Sequence, residues 1–177
     1  MMKTVDILER ALAACDRLRA DPRVLHAEIT GSVRRGQAEV GDLDLLLVTR
    51  DPWSFERGEL PAGEVRRREA PPADTRHTAD VFIATPETYG AVLAFSTGPR
   101  LINRCLRERA AQRGFLFDFR SAAHGDFPEV RAERGPFIAL YGPDGQIVPT
   151  PTEEAFFKLL GVPCVPPPFR AWLAERL

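Results

Sequence analysis

At 177 residues the chain can bury one good-sized core or two small domains. Lys+Arg of 24 against Asp+Glu of 25 gives a formal net charge of -1. That excludes a strongly basic nucleic-acid wrapper and confines any duplex contact to a local patch. Apolar content of 44% and charged content of 28% suit an ordinary soluble globular protein. Cys15, Cys105 and Cys164 are odd in number and in no metal spacing, so they read as buried thiols of a reducing compartment. With no signal peptide and no apolar run of membrane length, a cytoplasmic protein without membrane contact is expected.

Thr4 can cap a helix reaching to about residue 20, with Asp6 in its first turn. Val5, Leu8, Leu12, Cys15 and Leu18 repeat at threes and fours, a stripe for packing on a sheet. Asp21-Pro22 ends it. Residues 25–30 alternate as a strand, with His26 on the polar face. At its exit stands Gly31-Ser32-Val33-Arg34-Arg35-Gly36. A glycine there lets the backbone turn close to a ligand, with the N–H and hydroxyl of Ser32 facing outward. The two arginines add fixed positive charge suited to polyphosphate.

Gly41-Asp42-Leu43-Asp44-Leu45 follows at the head of a second strand, residues 42–48. Asp42 and Asp44 project from one strand face, and Leu43, Leu45 and Leu47 from the other. Two like charges on one face repel, and a divalent cation would relieve the repulsion. Taken singly, G-S is usually a turn and D-x-D a solvated strand end; only the combination is specific.

Residues 50–78 carry Pro52, Pro61, Pro71 and Pro72 and the run Glu64-Val65-Arg66-Arg67-Arg68-Glu69. The run reads either as a solvated face or as an edge strand whose arginines meet phosphate. Residues 79–84 form a third strand with Asp80 at its start. Thr85-Pro86-Glu87 opens a helix that passes Tyr89 and ends near residue 94. A further helix spans residues 100–113 and stops at Gly114. Leu101, Ile102, Cys105 and Leu106 form its apolar side, with Arg100, Asn103, Arg104 and Arg107 opposite; Arg109 and Arg113 break the division and snorkel. Spacing alone favours a solvated arginine face. Residues 115–119 form a short strand, 120–134 a polar insertion and 136–141 another strand. Gly142-Pro143-Asp144-Gly145 then turns the chain back through Ile147 and Val148. Thr152 caps a helix over 153–160, stopped by Gly161.

The G-S-x-R-R-G turn with G-D-x-D after a short spacer resembles the nucleotidyltransferase signature of the family X (DNA polymerase beta-like) DNA polymerases. Strands of V-D-L-F type carry that family's third metal-binding aspartate, which maps onto Asp80. Phe95-Ser96-Thr97-Gly98 resembles the Y/F-x-T-G element at the family's palm–thumb junction, and T-G-x-x-x-x-N-x-x-x-R continues into the next helix. Leu160-Gly161-Val162-Pro163-Cys164-Val165-Pro166-Pro167 resembles the family's L-G-x-P-x-x-P-P tail. The resemblance covers almost the whole chain.

It implies an α/β fold, with a nucleotidyltransferase palm of mixed sheet and helices over 1–94 and a small α+β thumb over 95–177. It implies DNA-directed transfer of dNMP from a dNTP to a primer 3′-hydroxyl by a two-metal route, in short-gap repair. Asp42 and Asp44 would bridge two Mg²⁺, for which Mn²⁺ could substitute, and Asp80 would hold the ion at the 3′-oxygen. Gly31, Ser32, Arg35, Gly41, Phe95, Gly98 and Asn103 would contact the nucleotide, and Arg104 and Arg107 the DNA. The implied partners are a dNTP and primer-template or gapped DNA, met by a monomer that is nucleoid-associated or virus-encoded in a host cytoplasm. A cis peptide bond after the T-G pair is implied as well, here Gly98–Pro99, where proline makes cis accessible.

Departures from the pattern are visible. The chain is expected to begin at the palm, without the amino-terminal lyase domain or helix-hairpin-helix fingers of larger relatives, as in small two-domain viral members. The spacing from Asp44 to Asp80 is compressed. Thr78 replaces an arginine often found there, and Phe119 stands where a tyrosine is common. The rival readings are a nucleotidyltransferase with a non-DNA acceptor and a catalytically silent DNA-end-binding protein.

Overall fold

The computed structural model describes residues 2–50, 79–119 and 138–177. The arginine run at 64–69, Thr78 and the 120–134 insertion lie outside the described residues, as does the Phe119 side chain.

The amino-terminal half is built on a mixed sheet, as the sequence leads one to expect. Strands β2 (Val24–Ile29), β4 (Leu43–Thr49) and β5 (Ala79–Ala84) lie in the order β2-β4-β5. β4 is antiparallel to β2 and parallel to β5. A short ribbon, β1 (Met2–Lys3) with β3 (Glu39–Val40), is an addition the sequence did not announce. The alternation in β4 behaves as expected. Leu43, Leu45 and Leu47 pack with helix α1 (Thr4–Arg19), while Leu46 and Val48 join the core on the opposite face.

The stripe expected on α1 needs correction. Leu8 and Leu12 are 39% and 48% exposed, and the buried face is Ala11, Ala14, Cys15 and Leu18. Those positions also follow helical spacing, and two alanines let the helix sit close on Ala27 and Leu45 where leucines would hold it off. The Val5 side chain is outside the described residues. A bulge between Val24 and His26 turns Leu25 outward, so β2 starts one residue earlier than expected.

Helix α3 (Tyr89–Thr97) begins later than its Thr-Pro-Glu start signal suggests. Residues 85–88 close a separate turn, with Thr88 N donating to Thr85 O (3.1 Å) and Thr85 N to Thr88 Oγ1 (3.0 Å). Thr150 N donates to Glu87 O (2.6 Å), and Gly90 N to Thr150 O (2.7 Å). Backbone groups committed to a distant segment cannot start a helix. A Cβ on Gly90 would stand 1.9 Å from Thr152 O, so only glycine permits this backbone-to-backbone approach. The helix then continues unbroken across residues 94 and 95 to Thr97. Gly98–Pro99 is cis, as the family resemblance implied.

Helix α4 (Arg100–Gln112) buries Ile102, Leu106 and Ala110. Leu101, expected on the same side, is 49% exposed because it stands a quarter-turn off that line. The helix ends with Phe115 N donating to Ala110 O (2.8 Å) and Gly114 N to Ala111 O (3.0 Å). Strands β6 (Leu116–Phe119) and β7 (Ile138–Tyr141) pair antiparallel. The return strand at 147–148 is only a single bridge, Tyr141 with Ile147. Helix α5 (Glu153–Leu160) is capped by Thr152 Oγ1, which accepts from Ala155 N (3.1 Å).

A 3-10 turn, Pro167–Phe169, and helix α6 (Arg170–Ala174) close the chain; neither was expected. Their apolar members Leu173 and Ala174 join α3, α4, Phe117, Phe156 and Phe157 in one core with the upper face of the sheet. The chain is thus α/β, a mixed sheet with helices followed by a smaller α+β unit. Cys15 is buried and Cys105 half-buried as free thiols, but Cys164 is exposed, because it stands in the proline-rich tail rather than on a packed helix. No helix among the described residues is long and apolar enough to cross a membrane.

Candidate active site

Strand register brings the second and third aspartates together. In the parallel β4–β5 pair, Asp44 lies opposite Asp80, and both side chains share the face that carries Leu46 and Phe82. Asp42 precedes β4 by one residue and is exposed. The backbone of Asp44 is fixed by Thr30 N, which donates to its carbonyl (2.8 Å). Its carboxylate accepts from the backbone N–H of Ser32. The expected turn at 31–36 begins as a short helix, α2 (Gly31–Arg34). Gly31 has φ +59°, and a Cβ there would lie 1.7 Å from Asp44 Oδ2. Glycine is therefore what lets the carboxylate rest on the turn.

Burial first, and then the charges of Asp42 and Asp80, together raise the Asp44 pKa to about 7, against smaller opposing effects of Arg35 and the Ser32 N–H. Burial and the neighbouring carboxylates thus outweigh the positive charge of Arg35 at this carboxyl among the described residues. Among the described residues, no three His, Cys, Asp or Glu side chains form a closed metal-holding group. The donor set nevertheless fits a hard divalent cation. Mg²⁺ is commonly held by one or two carboxylates with water and substrate phosphates completing its shell, rather than by an all-protein cage.

The arginine pair beside this site is engaged with α3. Arg35 Nη1 donates to Thr97 O, and Nη2 reaches Gln37 Oε1 at 3.3 Å. Arg34 Nη1 donates to Thr97 Oγ1 at 2.8 Å. Burial lowers the pKa of Arg35. Ser32 Oγ and Arg35 Nε are buried with no hydrogen-bond partner among the described residues. Gly98, at φ +63°, lies against the Arg35 guanidinium, whereas Gly41 is exposed with open space around it.

On α4, Asn103 Nδ2 donates to Phe95 O (2.8 Å), while its Oδ1 is buried and unpartnered among the described residues. The Arg107 guanidinium lies 5.7 Å from the Phe95 ring centroid. Phe95 itself sits edge-on between Phe82 and Phe117, each at 6.2 Å, as a partly buried core side chain. Arg104 is exposed and pairs with Glu108 one turn on (3.0 Å), apart from Asn103 and Arg107. Sequence reasoning missed Glu28, Tyr89, Glu153 and Arg170. Tyr89 Oη donates to Glu28 Oε1 at 2.5 Å, tying α3 to β2. The available signal for Arg170 was one arginine inside the otherwise apolar stretch Pro167-Pro168-Phe169-Arg170-Ala171-Trp172-Leu173.

Residues 91–171 match the family model of the DNA polymerase beta thumb. DNA polymerase lambda of Rattus norvegicus is 28% identical over 167 residues, covering 80% of this chain and 28% of that polymerase. The chain therefore spans little more than a quarter of the length of that relative.

Proposed function

We propose that this chain, related to the family X DNA polymerases, is a DNA-directed nucleotidyltransferase that adds dNMP from a dNTP to a primer 3′-hydroxyl. On this reading residues 1–94 form the palm and 95–177 the thumb. The observation that carries it is the Asp44 carboxyl, desolvated beside Asp42 and Asp80 and cradled by Gly31. A structural role alone does not account for a desolvated carboxyl held in the field of two others.

Asp42 and Asp44 would hold divalent cations, Mg²⁺ or Mn²⁺, and Asp80 the one beside the 3′-oxygen. When bound, such ions lower the pKa of the attacking hydroxyl and neutralise charge on the triphosphate. The unpartnered Ser32 hydroxyl and the Arg35 guanidinium would meet phosphate oxygens, with open space at Gly41 and the Gly31 turn holding the Asp44 carboxylate beside them. Asn103 Oδ1 and Arg107, backed by Phe95, would face the nascent base pair. Arg104 would meet the DNA backbone after exchanging Glu108 for phosphate. On this reading the substrate is short-gapped DNA, met by a monomer in repair.

Primer extension with Mg²⁺ on gapped, nicked and single-stranded DNA and on RNA tests the reading. Addition on gapped DNA is the expected result. Transfer to RNA or a small acceptor alone would favour another nucleotidyltransferase, and DNA-end binding without addition a silent binding protein.

A further inference from the structure

The last turn and helix of the chain carry an exposed face that the site described above does not use. Arg170, Leu173 and Ala174 turn inward, whereas Phe169 is 60% and Trp172 51% exposed. The two rings stand three positions apart and so share one side of the helix. Arg176, one turn beyond Trp172, lays its guanidinium 4.0 Å from the indole ring centroid, and its Nη1 donates to Trp172 O (3.0 Å). Glu175 Oε2 lies 3.9 Å from that nitrogen, a loose ion pair between exposed groups that is worth little. A single exposed ring needs no explanation, but two on one side with a guanidinium stacked on one of them do.

The face is firmly mounted. Arg170 Nη2 donates to Glu153 Oε1 (2.5 Å), a carboxylate that Arg34 also holds, and the Arg170 guanidinium lies 5.3 Å from the Phe157 ring centroid. Helix α6 also runs beside α4 in the same sense, because Cys105 Sγ donates to Ala174 O (3.6 Å) and Leu177 shares a small cavity with Cys105 and Gln112. At 100° per residue, Arg107, Arg104 and Leu101 follow one another around α4 from the base-pair side toward the Cys105 side that meets α6. Arg104 and Leu101 are exposed. The surface that begins at Arg107 therefore passes over Arg104 and Leu101 onto α6. Flat rings backed by a guanidinium suit unpaired bases, which stack on aromatic and arginine planes while arginine attracts the phosphates. Duplex bases are already stacked and gain nothing from the rings. An apolar protein partner would have to desolvate Arg104 and Arg176 as well.

We propose that Phe169 and Trp172, with Arg176 stacked on the indole, form a stacking surface for the unpaired template strand ahead of the nascent base pair. The proposal rests on the DNA-directed reading above and adds a single-stranded DNA contact to it. It gives the exposed end of the chain a part in holding substrate.

The test measures Kd by fluorescence anisotropy, with the full chain, for two primer-templates whose 5′ template overhangs are a single thymidine and about twelve thymidines. Nucleotide addition to both is followed in parallel. The parent is expected to bind the long overhang about tenfold more tightly than the short one. Trp172→Ala and Phe169→Ala should each remove most of that advantage, and Trp172→Phe, which keeps a ring, should retain it. All three should bind the short overhang and Mg²⁺–dATP as the parent does. Should Trp172→Ala fail to fold, Phe169→Ala and Arg176→Gln carry the same test. An advantage that survives in both alanine variants, or a parent that adds nucleotide but binds the two overhangs equally, overturns this inference alone. So does a dimer in sedimentation that Trp172→Ala dissolves, since the face would then belong to a second copy of the chain. A parent that binds neither DNA overturns both the inference and the reading beneath it. One that prefers the long overhang but adds no nucleotide overturns that reading and leaves a surface for single-stranded DNA.

Discussion

Asp44→Asn isolates the electrostatic character of the site from its catalysis. The asparagine keeps an oxygen to accept the Ser32 N–H but cannot ionise. Because the Asp44 pKa rises from 3.8 to about 7 on folding, the native state binds this proton more tightly than the unfolded chain. The contribution is fully present below about pH 4 and is lost as pH rises through about 7. At about 1.4 kcal/mol per pH unit the full effect would be about 4 kcal/mol. Partial exposure of the carboxyl and solvent screening reduce it to about 2 kcal/mol. Urea denaturation without divalent metal at pH 5 and pH 8 measures it. The parent should lose about 1–2 kcal/mol relative to Asp44→Asn across that interval. At pH 8 the variant should be the more stable of the two. Adding Mg²⁺ at pH 8 should restore stability to the parent and not to the variant. Parallel pH profiles for the two proteins would mean that Asp44 is not held among uncompensated carboxylates.

Three further outcomes follow from particular contacts. Gly31→Ala must adopt φ +59° and displace Asp44 Oδ2, so urea denaturation should show a loss of about 2 kcal/mol or more, with extension abolished. Gly90→Ala drives a Cβ to within 1.9 Å of the Thr152 carbonyl oxygen and should lower stability by about 1–3 kcal/mol, separating α3 from the segment before α5. Arg107→Ala should lower templated extension far more than Mg²⁺–dNTP affinity; loss of affinity with normal extension at saturation would mean that the face of α4 is wrongly assigned.

What was legible in the sequence was local. Alternation gave the two faces of β4, and the Thr152 cap with Gly161 bounded α5 closely. Three kinds of feature were not legible. Alanines carry little signal in an apolar stripe, so Leu8 and Leu12 of α1 drew attention away from Ala11 and Ala14, although Cys15 and Leu18 of the expected stripe are buried. The start of α3 bears every local mark of a helix at Thr85, yet Thr150 claims the backbone groups there, and no local pattern reports such a partner. Glu153 reads as an ordinary first-turn acid of α5, and its pairing with Arg34 spans 119 positions. The aspartates lie between these cases. Asp42 and Asp44 stand out by spacing, whereas Asp80 joined them through family resemblance before strand register set it opposite Asp44.

The most direct test of the account is incorporation of labelled dNMP into a single-nucleotide gap, with pyrophosphate release followed in parallel, for the parent and for Asp80→Ala. In Mg²⁺ the parent should release one pyrophosphate per nucleotide added. Asp80→Ala should fold and bind dNTP yet lose addition, since a carboxylate serving only the catalytic ion acts on charge that develops in the transition state. Addition by Asp80→Ala at near the parent rate, or dNTP and gapped DNA bound by the parent with no pyrophosphate released, would contradict the account.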